Sequence, residues 1–379
     1  MAAYHPRMGP LRGLRVVDMT RMVPGAFCTL LLADLGADVV KVETPGSGDG
    51  LRGLGKGRIA DASHLALNRG KRSVAIDLGA PSADAVLKRA VDWADVVVES
   101  HRPGQLDRRG LGYKAMRVGH PQLVWCAITG FGDEGPNADL GGHDLTYLGY
   151  SGLLSRLSDS PPTPPRTTLS LPLAALTAAV GILAAVAEMR KTGEGRKVEV
   201  NMTDSAMWLL SEEIARTANQ PGPGWGASAG RNVYACADGR SVTVAANGKA
   251  AWERLCEAVG VDAGGEEPSV ESLAELFRTQ PAAHWLSYPG PSGGVGPVNE
   301  VADLLEDPHV HARGSLVTLP DSGARVLASP VRFDGANGAE ATCAATDPPD
   351  LGAHTDEFLV ALGLSRSDIE QLRAAGIIG

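Results

Sequence analysis

The chain has 379 residues, of which 44% are hydrophobic and 21% charged, the balance of an ordinary soluble globular protein long enough for two lobes. Its formal net charge of -9 leaves no basic excess to neutralise phosphates, which argues against nucleic acid as a partner. The five cysteines are scattered without Cys-x-x-Cys spacing, so we expect reduced thiols and a cytoplasmic location.

Predicted strands and helices alternate through the first part of the chain. A buried strand is predicted in 11–20, followed by a helix over 25–35 with Gly36 at its C-terminal end. Further strands are predicted in 38–43, 71–78, 95–100 and 123–132, with helices in 82–94 (starting at a serine cap) and 112–119. Strand–helix–strand units favour a parallel sheet with crossover helices, so the predicted fold class is α/β with a Rossmann-like, doubly wound large domain.

A long apolar stretch follows, without any charged residue from 169 to 187. This length could span a membrane, but the stretch is rich in alanine and runs directly into a helix end, a turn and a strand. We therefore expect a buried core helix and no membrane association.

A second domain is predicted after the Gly/Pro-rich segment QPGPGWGASAG, which marks a boundary. Residues 1–220 would form the large domain, completed by C-terminal helices within 331–379. Residues 221–330 would form a smaller α+β domain with a hairpin that turns at Asp238-Gly239.

Seven stretches in order give the chain a family resemblance from about residue 11 to its C-terminus. They are LRGLRVVDMTRMVPGAFCTLLLADLGADVVKVETPGSGDGLR, NRGKRSVAIDL, ESHRPGQLDRRGLGY, HPQLVWCAITGFGDEGP, GGHDLTYLGYSGLL, RKVEVNMTDSAMWLL and DPPDLGAHTDEFLVALGLSRSDIEQLRAAGII. The chain resembles the family III CoA-transferases and α-methylacyl-CoA racemases, the CaiB/BaiF-like family. The resemblance implies an acyl-CoA thioester as substrate, with coenzyme A part of that substrate and no tightly bound cofactor. It also implies an intertwined homodimer whose active site lies between the large domain of one subunit and the small domain of the other.

Basic residues near the ends of predicted strands are the candidates for binding coenzyme A. Its phosphates call for arginine or lysine, and ligands of a doubly wound sheet lie at the carboxyl ends of the strands. The candidates are Lys41, Asn68, Lys71, Arg72 and Arg102. Ordinary surface charge is the alternative for each basic residue. The resemblance favours coenzyme A contact for Arg72 and Arg102, and a loop-shaping role for Asn68.

His143 and Asp144 in GGHDLTY are the candidate catalytic residues. His143 matches the histidine that moves the α-proton on one face of the substrate in the racemase relatives. Imidazole titrates near neutrality and therefore serves as both acid and base. Asp144 is either a working acid or the cap of a segment that begins near Leu145.

The carboxylates that should complete the site are missing. The resemblance implies an aspartate near residue 170 or 171, which serves the opposite face in racemases and is the nucleophile in transferases. Ser170 and Leu171 stand there, and no Asp or Glu occurs from 160 to 187. The small-domain glutamate of the racemases is replaced by Asn247 or Lys249. Ser170 as a replacement nucleophile has no base placed beside it by the sequence.

Four functions remain open on this basis. We favour an isomerase of the racemase or epimerase type that moves the α-proton with His143 as main base. A transferase-like subunit would instead need a homologous partner subunit that carries the aspartate, and a non-catalytic acyl-CoA-binding protein or a repurposed site are further alternatives. His309 and His311 lie two residues apart, but no further ligand type clusters near them, so no metal site is expected.

Overall fold

The computed structural model describes residues 9–53, 58–158, 160–220, 222, 226–246, 248–261, 268–287, 294–333 and 346–379. They divide into two compact units. The large unit comprises the described residues up to Glu212 and from Ala312 onward, and the small unit is Glu213–His311. The predicted domain boundaries at 220 and 330 stay a prediction.

A six-stranded parallel sheet forms the centre of the large unit. Its strands are β1 (Arg15–Met19), β2 (Asp38–Glu43), β3 (Arg72–Ala75), β4 (Val96–Glu99), β5 (Val124–Thr129) and β6 (Lys197–Asn201). Their spatial order is β3-β2-β1-β4-β5-β6, and all five pairings are parallel. This is the strand order of the doubly wound fold, so the predicted α/β class and parallel sheet are confirmed.

Helices cover both faces of this sheet. The helices of both units, numbered along the chain, are α1 (Met22–Asp34), α2 (Arg58–Asn68), α3 (Asp84–Trp93), α4 (Tyr113–Met116), α5 (Asp144–Tyr150), α6 (Leu154–Leu157), α7 (Ser170–Thr192), α8 (Met202–Trp208), α9 (Ser211–Asn219), α10 (Lys249–Val259), α11 (Val270–Phe277), α12 (Ala282–Leu286), α13 (Pro308–Ala312), α14 (Thr355–Ala361) and α15 (Arg366–Ala374). Of these, α10, α11 and α12 belong to the small unit and not to this sheet. Alternate residues of the strands enter two cores, one shared with α1 and α7 and the other with α3, α14 and α15. The C-terminal helices therefore complete the large unit.

Helix α7 is the long apolar helix that the sequence predicts. It is long and apolar enough to cross a membrane by length and composition. Its residues Ala174, Ala178 and Ile182 are buried on the side that packs against α1 and β5, whereas Leu176 and Val180 are exposed. One face of α7 thus belongs to the core of the large unit, as expected.

The crevice between β1 and β4 is the point at which the strand order reverses. There the backbone N–H of Arg21 donates to Ser100 Oγ at 3.0 Å, so the segments that follow β1 and β4 are linked. Met22 begins α1 at a φ of 63°, a left-handed conformation that costs a non-glycine residue free energy. In open α/β sheets this crevice is where ligands bind.

The small unit has its own sheet and aromatic core. Strands β7 (Arg231–Ala235) and β8 (Ser241–Ala245) form the predicted hairpin, and β9 (Val295–Pro297) pairs with β8. The Tyr234 and Phe277 rings stack at 4.8 Å, and Trp285 Nε1 donates to the Phe277 carbonyl oxygen. A further hairpin, β10 (Leu316–Thr318) with β11 (Arg325–Leu327), belongs to the large unit.

Two local details differ from the sequence analysis. A 3-10 turn over Pro81–Ala83 precedes α3, and no side chain caps that helix, so the predicted serine cap at Ser82 is wrong. Helix α2 was not predicted, because its apolar residues are interrupted and no capping residue marks its start.

Four cysteines are free and buried, namely Cys28, Cys126, Cys236 and Cys256, whereas Cys343 lies outside the described residues.

Candidate functional site

The GGHD loop, residues 141–144, leads from the end of β5 into α5. The Tyr147 hydroxyl donates to the Gly142 carbonyl oxygen at 2.7 Å, and the ring packs edge-on against Phe131. A Cβ on Gly142 would lie 2.9 Å from this ring, and one on Gly130 2.8 Å from it. Both glycines are therefore required for the tyrosine to pack closely against the loop.

His143 is the N-cap residue of α5. Its backbone is extended, its carbonyl oxygen accepts from the N–H of Thr146 at 2.8 Å, and the residue is exposed. The structure therefore presents the imidazole at the surface of the large unit, on a loop that the Tyr147 contact holds in place. A catalytic role for His143 stays a prediction.

Asp144 joins this loop to the first turn of α7. Its Oδ1 accepts hydrogen bonds from the backbone N–H groups of Leu169, Ser170 and Leu171 at 3.0, 2.8 and 3.3 Å. The Ser170 hydroxyl donates to the same oxygen at 2.7 Å. Asp144 thus caps α7, whose own N-cap residue Leu169 supplies no side-chain bond.

This arrangement corrects one interpretation of Asp144. It is the first residue of α5, after the N-cap residue His143, and it caps a different helix from the one expected. The first turn of α7 contains no acidic residue, and Ser170 is fully buried. The carboxylate that accepts from the first N–H groups of α7 therefore comes from α5.

Arg102 lies beside the GGHD loop. It follows β4, is exposed, and has a guanidinium nitrogen 3.8 Å from the place that a Cβ on Gly141 would occupy. It also lines a cleft of about 240 Å³ together with Glu99, His101 and Lys197. The Glu99 carboxylate accepts from the His101 backbone N–H and faces its Nδ1 at 3.3 Å. Of the five candidates for coenzyme A, Arg102 is the one that the structure places beside Gly141 of the GGHD loop.

Lys41 and Lys71 belong to a buried charge cluster with Asp18 and Asp49. Lys41 Nζ lies 3.1 Å from Asp49 and 3.7 Å from Asp18, and Lys71 Nζ lies 3.5 Å from Asp18. The Asp18 carboxylate also accepts from the hydroxyls of Thr20 and Thr29. Burial tends to raise the pKa of Asp18, but the two ammonium groups and the hydroxyl donors outweigh it and hold this pKa below its usual range.

Both lysines have their ammonium donors occupied within the fold. Lys71 Nζ donates to Asn68 Oδ1 and to the Ala26 carbonyl oxygen, and burial lowers its pKa to about 8. Such contacts are expected of lysines that stabilise the fold. Contact of Lys41, Asn68 or Lys71 with coenzyme A stays a prediction.

Arg72 lies at the amino end of the sheet. It makes a bidentate ion pair with Asp38, the first residue of β2, and its guanidinium packs over the rings of Trp93 and Phe358. Doubly wound sheets bind ligands at the opposite, carboxyl edge. Through these contacts Arg72 links the sheet to α3 and α14, which accounts for its conformation. Its contact with coenzyme A stays a prediction.

His64 is a buried polar residue that the sequence analysis did not identify. Because Asn68 Oδ1 accepts from Lys71, its Nδ2 donates to His64 Nδ1 at 3.1 Å, which leaves the proton on Nε2. Nε2 is buried and has no hydrogen-bond partner among the described residues. Burial, with the nearby Arg52 cation, lowers the pKa of His64 to about 4.

We expect His64 to destabilise the protein in mild acid. Between its folded pKa of about 4 and its unfolded value of 6.5 the unfolded chain binds more protons, so stability falls as the pH drops through this window. When the pH is lowered from about 7.5 to 5, the free energy of unfolding should fall in both proteins. The fall should be about 1–2 kcal/mol smaller in His64→Phe than in the wild type. Urea unfolding at both pH values measures this, with the exposed His309→Phe as control. Equal losses in wild type and His64→Phe would contradict it.

No group of three or more His, Cys, Asp or Glu side chains is placed to hold a metal ion within the described ranges. His309 and His311 lie on the short helix α13, not on an extended strand. Lys249 begins α10 in the small unit, with its side chain 89% exposed beside Glu253. Asn247 lies outside the described residues.

The fold and the loop together define a doubly wound α/β protein with an exposed histidine after its fifth strand and a capped core helix behind it. Over residues 11–355 the sequence matches CoA-transferase family III. The chain belongs to this family.

Known relatives match along nearly the whole chain. α-Methylacyl-CoA racemase from Homo sapiens is 30% identical, over 97% of this chain and 97% of the relative. Succinyl-CoA–D-citramalate CoA-transferase from Chloroflexus aurantiacus is 31% identical, over 97% and 98%. The crystal structure of a CAIB/BAIF family protein from Brucella suis superposes with a TM-score of 0.79 at 28% identity, over 93% of this chain and 99% of the other. The relatives thus include both racemases and transferases.

Proposed function

We propose that the protein acts on acyl-CoA thioesters and moves the proton at the α-carbon, with His143 as the main base. Membership of the family and the racemase and transferase relatives support the class of substrate. Coenzyme A enters as part of that substrate, and Arg102, beside the GGHD loop, is the best-placed candidate for one of its phosphates.

One observation favours proton chemistry over group transfer. The resemblance implies an aspartate at residue 170 or 171 of α7, where this chain has Ser170, whose hydroxyl is buried and bound to Asp144, and Leu171. An acyl-aspartyl anhydride needs a carboxylate that reaches the thioester, and the first turn of α7 has none. An exposed imidazole needs no such partner to exchange a proton.

The proposed step is an enolisation. The α-C–H bond breaks, its electron pair moves into the thioester as an enolate, and the proton passes to the His143 imidazole. Return of a proton to the α-carbon regenerates the thioester, with inversion when it arrives on the opposite face. The step is balanced without any oxidant, metal or second substrate.

We further propose that the chain works as a homodimer in the cytoplasm. Large apolar side chains lie exposed on the large unit, on and beside α7 and α8. They are Leu176, Val180, Met207, Trp208 and Leu209. Exposed large apolar side chains on two neighbouring helices favour a protein–protein interface. A hetero-oligomer with a homologous subunit is the alternative.

Deuterium incorporation tests the proposed activity. The protein is incubated with a 2-methylacyl-CoA in D2O, and we expect mass spectrometry to show uptake of one deuterium at the α-carbon. Binding of the thioester without exchange would contradict the proposal in favour of a non-catalytic binding protein. Activity that arises only on co-expression with a homologous subunit that carries the aspartate would contradict it in favour of a transferase-like subunit.

A further inference from the structure

Helix α7 depends on a residue of another helix for its N-terminal cap. Leu169, its N-cap residue, has a leucine side chain that cannot accept a hydrogen bond. The N–H groups of Leu169, Ser170 and Leu171 all point to Asp144 Oδ1 instead. A carboxylate is favoured there, since the N-terminal end of a helix is positively polarised.

From this contact we infer that Ser170 is a positioning residue that, through Asp144, fixes the His143 loop against α7. The inference rests on the proposed α-proton chemistry for its catalytic consequence. Ser170 supplies the fourth donor to the same oxygen, at 2.7 Å, and Asp144 directly follows His143. A shift of the carboxylate would therefore move the backbone that carries the imidazole.

Burial separates this role from that of a nucleophile. Ser170 has no exposed surface, and its hydroxyl is already engaged with Asp144. A nucleophile must reach the thioester carbon, whereas a positioning residue needs contact only with the group it holds. The same contacts occupy the N–H groups at the start of α7, so these donors serve the loop and are not free for a substrate oxygen.

Loss of one hydroxyl donor leaves the three N–H donors in place, so the cap should loosen without being lost. Proton transfer requires close alignment of base and α-carbon, and a small displacement of the base slows the chemical step more than it weakens substrate binding. The expected signature of Ser170→Ala is therefore a fall in kcat with little change in KM.

The test compares Ser170→Ala with Ser205→Ala. Ser205 is also buried in a helix, but its hydroxyl donates to the Asn201 carbonyl oxygen at 2.7 Å and not to Asp144. We expect kcat for deuterium incorporation to fall about 10- to 100-fold in Ser170→Ala, with KM and the Ser205→Ala values within about twofold of wild type. An unchanged kcat in Ser170→Ala, or equal losses in both variants, would overturn the inference.

Amide hydrogen exchange tests the positioning role of Ser170 independently of activity. We expect the amides of residues 141–146 to exchange about 10-fold faster in Ser170→Ala than in wild type or Ser205→Ala. Unchanged protection of these amides would overturn the inference even if the wild type proved inactive. Faster exchange of these amides in Ser170→Ala, with a wild type that shows no deuterium incorporation, would uphold the positioning role of Ser170 and refute the proposed function alone.

Discussion

Replacing Asp18 by asparagine is expected to lower the free energy of unfolding by about 3–5 kcal/mol, the cost of leaving a buried ion cluster unbalanced. Asp18 and Asp49 face the ammonium groups of Lys41 and Lys71, and all four side chains are almost fully buried. Removal of one carboxylate leaves two buried cations with a single anion. Asparagine keeps one side-chain oxygen, which can still accept from Thr20, whereas Thr29 loses its Oδ2 acceptor, so the loss combines the missing charge with one hydrogen bond.

Denaturant unfolding near neutral pH measures this effect. Glu188→Gln is the control, because Glu188 pairs with Arg196 on the surface, where solvent screens the ion pair. Asp18→Asn should unfold at a much lower denaturant concentration than the wild type, whereas Glu188→Gln should unfold at nearly the wild-type concentration. A similar small change in both variants would show that the buried cluster is not held together by its charges.

The cluster also connects the first three strands of the sheet with segments that flank them. Asp18 lies in β1 and Lys41 in β2, Asp49 follows β2, and Lys71 precedes β3. The lysines thus tie three neighbouring strands to their loops. These ion pairs are a sufficient reason for Lys41 and Lys71 to lie in or beside apolar strands, without any contact between the lysines and a phosphate.

The architecture of the large unit was predictable because its strands are continuous apolar runs between clear helix signals. VVDM in β1 and VVV in β4 are buried on both faces, which only a covered parallel sheet provides. Gly36 has a φ of 100° and ends α1 as expected. Helix α2 lacked these signals and was missed.

The site was less predictable, because its contacts join residues far apart in sequence. The motif identified His143, and the resemblance identified a missing carboxylate at residue 170 or 171, but the Asp144–Ser170 bond spans 26 residues and appears only in three dimensions. Likewise, lysines are usually exposed, and burial of Lys71 depends on Asp18, 53 residues away. Sequence patterns report local periodicity, whereas charge pairing across the sheet depends on the register of its strands.

His143→Ala is expected to lower kcat for deuterium incorporation at the α-carbon by about 10²- to 10⁴-fold, the usual contribution of a general base. KM should change little, because the exposed imidazole would contact the substrate at the reacting carbon and not at the coenzyme A phosphates. The fold should persist, since the cap of α7 is the carboxylate of Asp144. Exchange measured by mass spectrometry, with melting temperature as a check on folding, gives both quantities.

His309→Ala provides the matched control, since it removes an exposed imidazole from α13 and should retain wild-type exchange. A folded His143→Ala protein that exchanges the α-proton at the wild-type rate would remove His143 from the mechanism. The remaining carboxylate beside it, Asp144, has one oxygen engaged by four donors that hold α7. The α-proton would then have to pass to the second oxygen of Asp144 or to a base outside the GGHD loop, because residues 141–144 contain no other titratable side chain.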